Sequence, residues 1–185
     1  MDIENAIYSR RTIRRFEQKP IPIEILKKLV DYARMAPSGG NIQGLEYIII
    51  FNSEICEKLF PLLRWAAYLP EEKKVPEIGR RPTAYIVALG NTKIKKNVDI
   101  DIGAAIENIL LGAMEYGIAS CWMGSIDRDK IRELFTIPNH YIIKYVISLG
   151  YPDEESIVET FDGNFKYWKE NNTMHVPKRD LNDII

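Results

Sequence analysis

The first half of the chain alternates between helical and strand patterns of apolar residues. Residues 3–9 are compatible with a short helix, and 21–37 carry apolar residues at helical spacing up to Pro37, which is expected to end that helix. A β-branched and aromatic run over 45–51 predicts a strand. Ser53 is expected to cap the helix that follows it.

The second half continues the alternation around one strongly apolar helix. Residues 98–117 predict a helix that is apolar nearly all round, which has to be covered by its own sheet or by another subunit. The other elements predicted here are strands over 83–90, 118–124 and 140–150 and a helix over 126–135 capped by Asp127.

About four strands interleaved with helices predict one domain, 1–185, built as an α+β or α/β sandwich. Residues 61–82 fit no regular element, and we expect them to form a lid or an excursion over a site. Residues 153–172 are polar with scattered aromatics, which predicts an extended tail that is too aromatic to lie free in water.

Composition narrows the classes of function. The 185 residues are 46% hydrophobic, and 25 Lys and Arg oppose 26 Asp and Glu, so bulk charge does not favour binding to nucleic acid or to an anionic membrane. The N-terminus is too polar for a signal peptide, and Asp101 and Glu107 interrupt the most apolar stretch, so we expect a cytoplasmic protein with no membrane span. Two cysteines and two histidines at isolated positions predict no metal site.

Against this neutral background, SRRTIRRF at 9–16 places four arginines in eight positions. Arg10 and Arg14 converge whether the segment is extended or helical, and in an extended segment Thr12 shares their face. Two guanidiniums and a hydroxyl suit a phosphate dianion, because Arg offers paired N–H donors. The alternative is a solvated basic turn that is salt-bridged to nearby acids.

Three further segments are compatible with a bound cofactor. PSGGN at 37–41 supplies a flexible backbone and the Asn41 amide, and CWMGS at 121–125 lies between a strand and a helix N-terminus. Lys178 and Arg179 add a phosphate-capable pair. Each segment also has a simpler interpretation. Residues 37–41 would be an ordinary helix-ending loop, Trp122 and Met123 would be core residues, and Lys178 and Arg179 would belong to a soluble tail.

Several chemical signatures are absent. The chain has no G-x-S-x-G, no Walker loop, no G-x-G-x-x-G, and no His or Cys set in a hydrolytic arrangement. Because the chain offers so few candidates for general acid–base catalysis, we assign no catalytic side chain and expect a cofactor to carry any difficult chemistry.

In their order and spacing these segments resemble the nitroreductase family of FMN-dependent NAD(P)H oxidoreductases. The resemblance runs nearly end to end and is carried by SRRTIRRF, PSGGNIQ, DIGAAIENILLGAMEYGIASCWMG with the following ID, SLGYPDE and KYWKENNTMHVPKRDLNDII. It implies an α+β sandwich with a central, mostly antiparallel sheet of four to five strands flanked by helices. It also implies a homodimer in which a C-terminal arm, 153–185, wraps the partner subunit.

The resemblance also implies a set of FMN ligands. The phosphate ligands would be Arg10, Arg14 and Arg179, with Arg11 and Thr12 in the first segment and Lys178 next to Arg179 as further cofactor-binding residues. The loop against the flavin ring, usually that of the neighbouring subunit, would contain Pro37, Ser38, Gly39 and Asn41. The turn facing the flavin N5 and O4 region would contain Met123, Gly124 and Ser125.

The activity that the resemblance implies is hydride transfer from NADH or NADPH through FMN to a small acceptor such as a nitroaromatic or a quinone. The family often has Pro-Trp where this chain has Gly44-Leu45, which changes the expected shape of the substrate pocket. Alternatives are a specialised flavin reductase, dehalogenase or enone reductase of the same family, a flavin-binding protein without turnover, and an anion-binding module without flavin.

Overall fold

A computed structural model describes residues 1–185 and shows helices interleaved with strands, followed by a small C-terminal sheet. The helices are α1 (Ile3–Ser9), α2 (Ile23–Arg34), α3 (Ser53–Leu59), α4 (Glu71–Lys74), α5 (Asp99–Met114) and α6 (Arg128–Phe135). The strands are β1 (Leu45–Ile50), β2 (Ala84–Asn91), β3 (Ala119–Met123), β4 (Tyr141–Gly150), β5 (Glu155–Thr160), β6 (Trp168–Glu170) and β7 (Thr173–Lys178). Short 3₁₀ helices span Gly39–Asn41, Phe60–Leu62 and Leu181–Asp183.

The larger sheet has four antiparallel strands in the order β1-β2-β4-β3. β1 pairs with β2 in a register that runs from Leu45 opposite Gly90 to Ile50 opposite Tyr85. All eight residues of β2 are buried, so both faces of this sheet are covered. The α+β sandwich with a mostly antiparallel sheet that the family resemblance implies is confirmed.

Two hydrophobic cores lie on opposite faces of this sheet, because side chains alternate along a strand. Ile86 and Ala88 of β2 face the core that α2 and α5 cover. Tyr85 and Val87 face a second core, to which α3, the 3₁₀ helix Phe60–Leu62 and α6 contribute. The layers are therefore helix, sheet and helix.

Helix α5 packs along α2 and is covered only in part. Gly112 permits a close approach, since a Cβ built there would lie 2.4 Å from the Tyr32 ring. Ile100 at the start of the helix remains 90% exposed, so the expectation that another subunit covers α5 stays a prediction. Beyond the helix end, Gly117 adopts a φ of 66° and turns the chain into β3. No helix in the protein is both long enough and apolar enough to cross a membrane.

Two predicted helix boundaries need correction. Asn52, rather than Ser53, caps α3, because its side chain accepts the Ile55 N–H at 3.1 Å. Helix α2 ends at Arg34, before the predicted terminator Pro37. A proline disfavours helical geometry in the residue before it, so its effect extends upstream.

Residues 61–82 are more ordered than the sequence predicts. They contain part of a 3₁₀ helix and all of α4, and Leu63 forms an isolated bridge to Ile126. Trp65 is only 6% exposed and packs in the second core with its ring 5.3 Å from that of Phe60. Tyr68 is 52% exposed. Trp65 therefore fills core, and the role of this segment as a lid stays a prediction.

The C-terminal segment that the sequence predicts as an extended tail contains three short strands, which form a small sheet. β7 pairs in parallel with β5 and antiparallel with β6. Trp168 stacks on His175 at 4.9 Å, and buried Met174 packs against Ala66 and Leu69 of the same chain. The scattered aromatics thus find partners within the chain, which is why this segment folds. Whether the last residues wrap a partner subunit stays a prediction.

Candidate functional site

The arginine-rich segment is extended and lies beside β3. Thr12 forms a parallel bridge with Ser120, whose carbonyl accepts the Ile13 N–H at 3.0 Å. Ile13 and Arg15, which are two positions apart, are both buried. This anchoring leaves alternate side chains of the segment free to face outward.

The outward side chains meet the end of β7 in a small pocket of about 140 Å³. Its lining residues are Arg10, Arg11, Thr12, Arg14, Tyr167, Val176 and Lys178. The structure therefore brings the two ends of the chain together and joins the arginines to Lys178. We call this cavity the cationic pocket.

Three of the four cations in the cationic pocket lack an acidic partner. The exception is Arg10, whose Nε lies 3.2 Å from Glu107 Oε1. Arg11 donates to the Tyr8 carbonyl at 2.7 Å, whereas the side chains of Arg14 and Lys178 form neither an ion pair nor a hydrogen bond within the protein. Burial, followed by the like charge of Arg10, lowers the pKa of Arg11. The pocket is thus a site of excess positive charge.

Tyr167 is a pocket residue that sequence reasoning did not identify. The Arg14 guanidinium lies 4.8 Å from the centre of its ring, within the range of a cation–π contact. Tyr68 packs near the same ring at 5.1 Å. The signal in the sequence was the aromatic content of 153–172, but spacing alone does not say which aromatic residue meets Arg14.

Arg179 lies outside the cationic pocket, contrary to the prediction that it joins Arg10 and Arg14 there. Its guanidinium donates to the Asp183 carbonyl in the C-terminal turn. Arg179 is the first residue after β7, and this contact directs its guanidinium to the C-terminal turn instead of the pocket that Lys178 lines.

The loop at 37–41 is held by a buried carboxylate. Asp101, in the first turn of α5, is 5% exposed and accepts from Ser38 Oγ at 2.9 Å and from the Gly39 N–H at 3.1 Å. Lys95 Nζ lies 2.6 Å from Asp101 Oδ2. The Lys95 hydrogen bond is the largest factor that lowers the pKa of Asp101, and it outweighs the effect of burial. The loop is therefore fixed rather than flexible.

This loop borders a different cavity of the same chain. Pro37 and Ser38 line a cleft of about 420 Å³ between α2, β1 and α5, whereas Gly39 and Asn41 are exposed beside it. Tyr47 also lines the cleft, and burial raises its pKa to about 12. One chain does not bring the loop into the cationic pocket.

The turn at 123–125 divides into a core residue and two outward residues. Met123 is buried, and its sulfur accepts from Ser148 Oγ at 3.2 Å, so its side chain belongs to the second core. The Gly124 carbonyl accepts from Arg128 Nη2 at 3.1 Å. Ser125 is exposed and borders a third cavity, of about 760 Å³, lined also by Arg64 and Trp65.

The departure at Gly44-Leu45 has a structural cause. A Cβ built on Gly44 would lie 2.7 Å from Lys95 Cβ, and the Gly44 carbonyl accepts the Asn91 N–H at 2.8 Å. The segment after β2 thus lies directly over Gly44. The absence of a side chain there is linked to the position of Lys95, which also holds the 37–41 loop.

Comparison with known proteins identifies the family to which the chain belongs. The model of the Nitroreductase family matches residues 7–151, a span that runs from the arginine segment to the end of β4. The α+β sandwich is the fold of the nitroreductases. The chain belongs to the nitroreductase family, whose members are oxidoreductases.

Individual relatives agree with this assignment. A protein of Archaeoglobus fulgidus, provisionally named an NADH dehydrogenase/NAD(P)H nitroreductase, is 34% identical over 167 residues, which cover 86% of this chain and 90% of that one. The 4-nitrobenzoate reductase of Pseudomonas putida is 24% identical over an alignment of 204 residues, which covers 86% of this chain and 89% of that one. The structure of an FMN-dependent nitroreductase from Clostridium difficile R20291 superimposes with a TM-score of 0.69 at 25% sequence identity. The match covers 82% of this chain and 88% of that one.

Proposed function

We propose that this protein is an FMN-dependent oxidoreductase that takes hydride from NADH or NADPH and reduces a small acceptor such as a nitroaromatic or a quinone. Family membership supports the class of reaction. The FMN-dependent relative supports the cofactor, and the 4-nitrobenzoate reductase supports the class of acceptor. The single observation that carries the proposal is the cationic pocket, which Arg14 and Lys178 line without an acidic partner.

The residues of the cationic pocket fit the phosphate of FMN. Arg14 and Lys178 offer donors that no protein carboxylate uses, and Thr12 adds a hydroxyl. A volume of about 140 Å³ suits a phosphoryl group rather than a whole flavin nucleotide. The pocket would therefore hold the phosphate end, with the remainder of the cofactor outside it.

When bound, FMN would supply the redox chemistry by accepting a hydride and passing electrons on. The protein would bind and orient the reactants. Its fixed parts are the arginine segment and the 37–41 loop, which Asp101 holds in one conformation. Such preorganised geometry is the main contribution that a protein makes to a cofactor reaction of this kind.

We further propose that the functional unit is a homodimer. The 37–41 loop and the cationic pocket belong to separate cavities of one chain, and the resemblance assigns them to one flavin site across two subunits. Ile100 in the first turn of α5 is an apolar side chain that is 90% exposed in one chain, which agrees with a partner covering this part of the helix. A mass measurement in solution that gave only monomer, with FMN bound, would refute the proposed dimer.

Absorption spectra of the purified protein, before and after anaerobic addition of NADH or NADPH, test the proposed function. We expect a yellow protein, or one that becomes yellow with added FMN, that bleaches with at least one nicotinamide. A yellow protein that does not bleach would favour a flavin-binding protein without turnover. A protein that binds no FMN would refute the proposal. Turnover of a nitro compound, a quinone and a halophenol would then separate a general reductase from a specialised one.

A further inference from the structure

A buried carboxylate behind the cationic pocket has no assigned role. Glu154 follows β4 in the SLGYPDE motif, and its side chain is fully buried. Its Oε1 accepts the backbone N–H of Arg14 at 2.6 Å and that of Arg15 at 3.2 Å. The carboxylate thus binds the backbone of the segment whose side chains form the pocket.

Two buried cations, Lys169 and Arg15, pair with this carboxylate, and Arg15 also pairs with Glu77 at 2.8 Å. Lys169 Nζ lies 2.5 Å from Glu154 Oε2, and Arg15 Nη1 lies 3.6 Å from the same oxygen. Both cationic side chains are less than a tenth exposed. A buried charge that loses its partner is strongly unfavourable, so the three groups hold one another in place. The cluster therefore ties the arginine segment to β6 and to the end of β4.

The side chains of Arg14 and Arg15 point in opposite directions from the backbone that Glu154 holds. Adjacent side chains of an extended segment point to opposite sides, so Arg15 enters the buried cluster while Arg14 lines the cationic pocket. Arg14 itself has no ion pair to hold it. Its position is set by Glu154 at its backbone N–H and by the Tyr167 ring beneath its guanidinium.

We propose that Glu154 is a positioning residue for phosphate recognition: it fixes the Arg14 backbone so that the guanidinium is preorganised in the cationic pocket. The proposal rests on the proposed FMN function. It concerns an anion with the chemistry of a phosphate monoester, because the group being positioned is a guanidinium that lacks a carboxylate partner. Glu154 would not touch the cofactor itself.

The test compares FMN with riboflavin, which has the same ring system and lacks the phosphate. Dissociation constants of both flavins would be measured by fluorescence quenching for the full-length protein and for Glu154→Gln and Glu154→Asp. The matched control is Glu155→Gln, since Glu155 is the exposed neighbour and forms no ion pair. Thermal denaturation of each variant would report the folded fraction.

We expect Glu154→Gln and Glu154→Asp to weaken FMN binding by up to about tenfold, because the Arg14 side chain would then have to be ordered when FMN binds. Riboflavin binding should change by less than about threefold, and Glu155→Gln should change neither. If Glu154→Gln does not fold, Glu154→Asp provides the test, because it keeps the charge that Lys169 and Arg15 require.

Four results would overturn the assignment, and the last of them would also overturn the proposed function. Equal weakening of FMN and riboflavin would show a purely structural role, and unchanged FMN binding would show no role. Tighter FMN binding by Glu154→Gln would show that the carboxylate acts only as a like charge near the phosphate. If the unaltered protein bound FMN no better than riboflavin, the phosphate function itself would fail, and the role of Glu154 with it.

Discussion

Arg14→Met tests the cationic pocket most directly. This change removes the guanidinium and keeps much of the apolar stem that packs near Tyr167. Because Arg14 has no protein carboxylate within 4.0 Å, its charge is available to an anion in the pocket. Hydrogen bonds to charged groups contribute about 1.5–3 kcal/mol, which corresponds to a loss of roughly 10- to 150-fold in FMN affinity.

The cost to folding should be much smaller than the cost to binding. The contact that the folded protein loses is the cation–π interaction with Tyr167, which is worth about 0.5–1 kcal/mol at a partly exposed site. Arg10→Met should weaken FMN less than Arg14→Met does, because Glu107 already engages the Arg10 guanidinium. The double change Arg10→Ala with Arg14→Ala should leave a folded but colourless protein.

FMN and riboflavin titrations at one fixed salt concentration would measure these effects, with Lys130→Met as the control. Lys130 is an exposed cation on α6 that pairs with Asp127, and it lines none of the three cavities described above. The reasoning would be refuted if Arg14→Met bound FMN as tightly as the unaltered protein, or lost riboflavin to the same degree.

Two further predictions concern the scaffold. Gly112→Ala should destabilise the protein by about 1–2 kcal/mol in urea unfolding, since overpacking against Tyr32 outweighs the gain in helix propensity. Gly103→Ala, where a Cβ meets nothing within 4 Å, should instead stabilise it by about 0.5–1 kcal/mol, and the opposite order would contradict the packing argument. Asp101→Asn should destabilise the protein near neutral pH. Because the folded pKa of Asp101 is lowered, its stabilising effect is present above the unfolded pKa of about 4 and disappears as the pH falls through the folded value. A difference in unfolding free energy between the two proteins that did not shrink in acid would refute this role for the Lys95 pair.

The separation of the site into several cavities has a direct consequence. The cationic pocket, the 37–41 loop and the 123–125 turn each border a different cavity of one chain. A single chain therefore presents the phosphate-binding end of the proposed site and holds the loop in a fixed form elsewhere. This arrangement is what the proposed dimer would combine.

Local patterns determined much of the main sandwich. The alternating and β-branched runs predicted all four strands of the larger sheet, because a strand buried on one or both faces needs a regular apolar pattern. The clustered arginines predicted a cationic site, since convergence of Arg10 and Arg14 follows from spacing alone in either backbone conformation. These features depend on neighbours within a few residues.

Tertiary structure decided what depends on contacts between distant segments. In the small C-terminal sheet, Trp168 stacks on His175 of β7, and Met174 packs against residues of 61–82. A local sequence pattern does not predict such contacts, because the partners of Met174 are about 100 positions away. The choice of Lys178 over Arg179 for the pocket depends on how the strand end is rotated, which spacing does not specify. Glu154 became visible as the anchor of Arg14 only once residues 140 positions apart were brought together.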